Sequence, residues 1–187
     1  GESARSMDRI RGFRIGMIFQ NAMSAFTPVK TIGQQLKEMR FLHAKESRKQ
    51  RYQHCLDSLE KVGLLDPERV YNSYPHQLSG GMKQRAMIAL ALAHNPQLLI
   101  ADEPGTALDV TVQAQTLQLM RKLVEEHHTA VLFISHNLGL VLDTCDRLCV
   151  MYSGEAVETG SIEDVFDKMR HPYTQALLSE VPRIEVT

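Results

Sequence analysis

The sequence predicts an α/β fold in which a sheet is interrupted by a block of helices. Four short apolar runs, at residues 14–20, 97–103, 130–136 and 147–152, have the length and composition of strands. The segments between them carry apolar residues at helical spacing, and such alternation builds a sheet with helices packed on it. Residues 34–94, between the first and second runs, contain no convincing strand. That stretch is the expected insertion.

The first run, residues 14–20, reads as a buried strand with no earlier element to pair with, and the chain starts on Gly1 rather than Met. The expectation is a start that lacks preceding sequence, with a processed N-terminus as the alternative. Helical spacing then recurs at residues 34–42, 47–62 and 81–93. Positions 37–51 hold six Lys or Arg against two Glu, which reads as a solvated basic face, with a phosphate or lipid site as the alternative. Beyond the strand at 147–152, Ser153 and Gly154 make a turn and residues 155–160 a short return strand. Ser161 is the expected N-cap of a helix to about residue 169, with Glu163 and Asp164 in the first turn where the helix dipole favours acids. Pro172 is placed to open a last helix.

At 187 residues the chain has the size of one domain, and 43% hydrophobic with 23% charged residues argues against disorder and against a fibre. A net charge of −1 leaves no global basic field, so nucleic acid is not an expected partner. Cys55, Cys145 and Cys149 are odd in number and read as small buried hydrophobes in a reducing compartment. No apolar run approaches the roughly 20 residues of a membrane span, and no signal-peptide pattern opens the chain. The expectation is a soluble chain able to dock on a membrane protein.

The most informative stretch is residues 97–103, an apolar run that ends in Asp102 and Glu103 and is followed by Pro104. A strand that releases two acids at its C-terminal end places them where open α/β sheets bind ligands. One acid suits Mg²⁺ and the other an attacking water in phosphoryl transfer, although an exposed acidic turn would look the same. Upstream, Ser79, Gly80 and Gly81 open an alanine-rich helix. Glycine backbone and a helix N-terminus make a phosphate cradle, or simply an ordinary N-cap. His136 ends the strand at 130–136, and Gln20 ends the first strand with an amide able to meet a metal-bound or lytic water. Taken singly, each has a structural explanation.

Their order is what carries information: Gln20, helices, LSGGM at residues 78–82, Asp102 and Glu103, residues 106–109, then His136. In this order the chain resembles, over nearly its whole length, the nucleotide-binding domain of ABC ATPases. That resemblance implies a P-loop NTPase-type fold. Residues 1–20 and 96–170 would form the core ATPase portion, and residues 21–95 a helical subdomain with the signature motif. It implies a head-to-tail dimer, with a like or a related ATPase subunit, that holds ATP and Mg²⁺ at the interface. Ser79, Gly80 and Gly81 would act as the signature in trans, and Asp109 as part of the D-loop. Asp102 and Gln20 would help hold Mg²⁺, and Glu103 and His136 would be catalytic. Integral membrane permease subunits, and through them a solute-binding protein, would be the partners, with the chain peripheral on the cytoplasmic face of the cell membrane.

Met82 stands where the family most often has Gln, and Gly105 where Thr or Ser is usual, which puts the D-loop in question. No Gly is followed by Lys, so the G-x-x-x-x-G-K-[ST] loop is not among these residues; truncation is the expectation, a degenerate subunit the alternative. MIFQNAMSAFTP at residues 17–28, YPHQ at 74–77 and HPYTQALL at 171–178 are similar to dipeptide, oligopeptide and nickel importer ATPases, with residues 171–187 the start of their C-terminal extension. A soluble ABC ATPase of DNA repair would need a long coiled coil before the signature, and only 58 residues separate Gln20 from Ser79. A non-catalytic subunit would sooner lack Glu103 or His136.

Overall fold

The computed structural model describes residue 10 and residues 13–41, 47–105 and 108–179. The chain forms two compact units, Gly1–Ile134 and Ser135–Thr187.

In the first unit, β1 (Ile15–Ile18), β2 (Leu98–Asp102) and β3 (Ala130–Ile134) make a parallel sheet in the order β1-β2-β3. Ile18 lies opposite Ala101 and Asp102 opposite Ile134, so the strands end at one common edge. The register is seeded at the other edge. There the Thr129 hydroxyl donates to the Pro96 carbonyl at 2.8 Å, and the Gln97 N–H donates to the Arg14 carbonyl at 2.9 Å. β1 is half-buried rather than fully buried as expected: Ile18 is enclosed while Met17 is exposed. Gly16 allows the following helix layer to approach, since a Cβ there would collide with the Ala91 carbonyl.

Between β1 and β2 the described residues form helices only, as the insertion predicts. These are α1 (Ala22–Ala25), α2 (Ile32–Phe41), α3 (Arg48–Lys61), α4 (Pro67–Asn72), a 3₁₀ turn (Pro75–Gln77) and α5 (Gly80–Leu92). Ile32, Leu36, Cys55, Leu59, Val62, Val70, Met87 and Ile88 are almost wholly buried. At about 1.5–3 kcal/mol per large aliphatic side chain, they hold the bundle together. Ser47 caps α3 in a reciprocal arrangement with Gln50. Helix α6 (Val110–His127) connects β2 to β3 and buries Thr116, Leu117, Met120 and Leu123, one stripe at helical spacing.

The second unit contains α7 (Leu138–Thr144), an antiparallel hairpin of β4 (Arg147–Tyr152) and β5 (Glu155–Ser161), α8 (Ile162–Lys168) and α9 (Pro172–Ser179). Ser153 (φ 49°) and Gly154 (φ 86°) form the two-residue turn, both in the left-handed region that matches strand twist. Ser161 caps α8 by accepting the Asp164 N–H at 3.1 Å, as its sequence predicts. Glu158 on β5 accepts the N–H groups of Arg170 (3.0 Å) and His171 (3.3 Å), tying the start of α9 to the hairpin. These bonds, that of Arg170 foremost, hold the Glu158 carboxyl below its ordinary range.

One further expectation needs correcting, and one helix was missed. Cys55 is buried and Cys145 partly so, but Cys149 is exposed, because β4 turns that side of the hairpin to solvent. Helix α4 was not anticipated, although Asp66 caps it and Pro67 is its first residue. Thr106, Ala107, Leu42 and residues 180–187 of the expected C-terminal extension lie outside the described residues.

Candidate functional site

The parallel register sends Gln20, Asp102 and Glu103 out of the same sheet edge. Gln20 follows β1 by two residues and is exposed. Asp102 is the last residue of β2, and both it and Glu103 are partly buried. The backbone of Glu103 adopts φ 48°, a left-handed conformation that non-glycine residues avoid, and its N–H donates to the Ile134 carbonyl at 2.9 Å. The turn is therefore latched to β3 immediately beyond the two acids. Pro104 and Gly105 are buried behind it.

Gly105 has φ 99°, and a Cβ there would come within 3.0 Å of the Gln113 side chain. A Thr or Ser would be strained in this backbone, so glycine is what the local path requires. The Leu108 N–H then donates to the Gly105 carbonyl at 2.9 Å. Asp109 is exposed and caps α6, its carboxylate accepting the Val112 N–H at 2.9 Å. This cap was missed from the sequence, although an Asp directly before an amphipathic run is its ordinary signature.

Ser79 caps α5, its hydroxyl accepting the Met82 N–H at 3.3 Å, and Ser79 and Gly80 are exposed. Cβ atoms on Gly80 and Gly81 would lie 3.4 Å from Leu108 and 3.0 Å from Val112. The glycine-rich turn and the Asp109 cap thus meet, with helix N-termini α5 and α6 side by side. His136 follows β3 by two residues and belongs to the second unit.

Gln35 is a further residue that sequence reasoning passed over. Only 7% exposed, it accepts the Thr27 N–H at 2.8 Å and donates to the carbonyls of Thr27 and Lys30 at 3.2 and 3.1 Å. It pins the loop that leads from Gln20 to α2. A buried Gln inside an amphipathic helix was the available sign.

A family model described as ABC transporter matches residues 2–106, and one described as Oligopeptide/dipeptide transporter, C-terminal region, matches residues 157–187. The chain is 52% identical over 180 residues to a probable peptide ABC transporter ATP-binding protein, y4tR, of Sinorhizobium fredii, with 96% of this chain and 54% of the relative covered. It is 48% identical over 183 residues to the oligopeptide transport ATP-binding protein OppD of Bacillus subtilis, covering 98% and 51%. Among solved structures it is similar to the dimeric ATP-binding cassette MJ0796 in a post-hydrolysis state bound to ADP and Pi. That match has TM-score 0.74 and 29% identity, covering 86% of this chain and 68% of the other. The chain spans about half the length of the curated relatives it matches.

Proposed function

The chain belongs to the ABC transporter family, and from that premise we propose that it forms part of the ATP-hydrolysing subunit of a peptide importer. Residues 21–95 would be its helical subdomain, residues 1–20 and 96–170 its core, and residues 171–187 the start of a C-terminal extension. The names of the relatives speak for peptides rather than nickel. The observation that carries the reading is the shared sheet edge, where Gln20, Asp102 and a backbone-strained Glu103 come together.

The residues present fit the groups this activity needs. Asp102 and Gln20 supply hard oxygen donors, and Mg²⁺ takes only one or two protein ligands when phosphates and water complete its octahedron. When bound, Mg²⁺ would neutralise charge on the phosphates. Glu103 would orient a water at its carboxylate and accept its proton as the water attacks the γ-phosphorus, and His136 would help position that water. Ser79, Gly80 and Gly81 would present the N-terminus of α5 to nucleotide held by a second subunit, like or related, with Asp109 beside them in the same interface. Membrane permease subunits would receive the motion through the segment from Gln20 to α2, fed indirectly by a solute-binding protein. Among the described residues no helix is long and apolar enough to cross a membrane, and attachment at the cytoplasmic face would come through the permease.

Replacing Glu103 by Gln tests the reading in the subunit assembled with its membrane partners. The amide keeps shape but cannot take a proton, so hydrolysis should fall about a hundredfold or more while ATP binding persists. Hydrolysis at the native rate in that variant would refute the assignment.

A further inference from the structure

Helix α3 opens against its own dipole. Its first two residues are Arg48 and Lys49, and its first turn contains no acid. The N-terminus of a helix carries partial positive charge, so carboxylates are favoured there and cations are not. Lys37 on α2 adds a third cation. All three line one cavity of about 430 Å³, together with Tyr52 and Tyr71. The ion pairs of the described residues engage Lys30, Arg121, Lys122 and Lys168, and none of the cavity cations.

The aromatic wall is held in place. Tyr52 and Tyr71 meet edge to face, with ring centroids 5.0 Å apart and planes at 81°. The Tyr71 ring lies so close on the backbone at Gly33 that a Cβ there would collide with it. The Tyr52 hydroxyl donates to Glu68 at 2.8 Å, which fixes the ring and engages the nearby carboxylate. Three cations from two helices thus converge, without carboxylate partners among the described residues, beside a rigid apolar face in a cavity of small-molecule size.

We propose that this cavity is a binding site for a phosphate-bearing ligand, with Arg48, Lys49 and Lys37 around the phosphate and the carbon portion of the ligand against Tyr71. A phosphate suits it better than a carboxylate. It brings up to two charges, its tetrahedral oxygens can be met from several directions, and the guanidinium fork of Arg48 can bind two of them at once. The ligand is either a soluble phosphate ester or a phospholipid headgroup. The site is separate from the sheet edge and does not depend on the ATPase reading.

The chain has five Tyr and no Trp, so tyrosine fluorescence, two of whose five sources line the cavity, can be followed without a tryptophan background. The 187-residue chain would be titrated with inorganic phosphate, glycerol 3-phosphate and acetate. In parallel it would be floated with vesicles of phosphatidylcholine alone or mixed equally with phosphatidylglycerol. Saturable binding of glycerol 3-phosphate with weaker acetate binding identifies a soluble ester; retention by the mixed vesicles alone identifies a headgroup. The double variant Arg48→Glu, Lys49→Glu should lower affinity tenfold or more while raising the thermal midpoint, because acids replace cations in the first turn of α3. Lys37→Glu, which leaves that helix end alone, should weaken binding severalfold. Binding unchanged in both variants, acetate equal to phosphate, or no binding in either arm would overturn the proposal.

Discussion

Glu103 carries a chemical role proposed above and a conformational cost at the same position. A left-handed residue with a Cβ costs about 1–2 kcal/mol, and here φ is 48°. The cost is borne because the Glu103 N–H is bonded to Ile134 and the buried Pro104 and Gly105 leave the chain no other path. Glu103→Gly should therefore raise unfolding free energy by about 1 kcal/mol in urea melts, whereas Glu103→Ala should not. A destabilised glycine variant would mean the turn is not strained. The opposite change, Gly105→Thr, should cost about 1–3 kcal/mol in the same assay. The adjacent acids were legible in the sequence because an apolar run ends on them. The turn was not, since glutamate has no preference for left-handed backbone and it is tertiary structure, the bond to β3 and the buried residues that follow, that imposes it.

Helix caps link sequence to site at the next scale. Ser79 and Asp109 each spend a side-chain oxygen on their own helix, and the two helix ends touch through Gly80 and Gly81. Ser79→Ala should cost about 1 kcal/mol of stability, while Ser79→Asp keeps an acceptor at the cap. If α5 also faces a phosphate across a dimer, Ser79→Asp will retain its melting temperature yet lose ATP-driven dimerisation in light scattering of the assembled subunit. Dimerisation undiminished by the new charge would leave Ser79 a cap and nothing more. Glu158 offers a second test, through pH. Its carboxyl is lowered in the folded state, so its contribution is present above the unfolded value of about 4.3 and is lost as pH falls through the folded value. Glu158→Gln should flatten acid unfolding in that window, and an unchanged profile would remove the clamp. The strands and the helices at α3, α5 and α8 were readable from period and caps. Helix α4 was not, because six residues with only Val70 buried leave too little periodicity to register.

Across the whole molecule, the order of the motifs was legible because each sits at an element end that composition marks. That His136 groups with the second unit was not, because a division between compact units depends on contacts distant in sequence. With no Gly-Lys pair to wrap the β- and γ-phosphates, the 187-residue chain by itself should neither bind ATP tightly nor turn it over. Saturable micromolar binding of a fluorescent ATP analogue, or turnover abolished by Glu103→Gln, would reveal a nucleotide site of another kind. The sheet, meanwhile, ends on β3 among the described residues, with Val131, Leu132 and Ile134 exposed. Five residues of outer edge offer about 17 Å of amide ladder, at roughly 3.3 Å per residue. Among the described residues of the first unit, such an edge presents a row of backbone N–H and C=O groups without a ladder partner, a polar seam beside exposed apolar side chains.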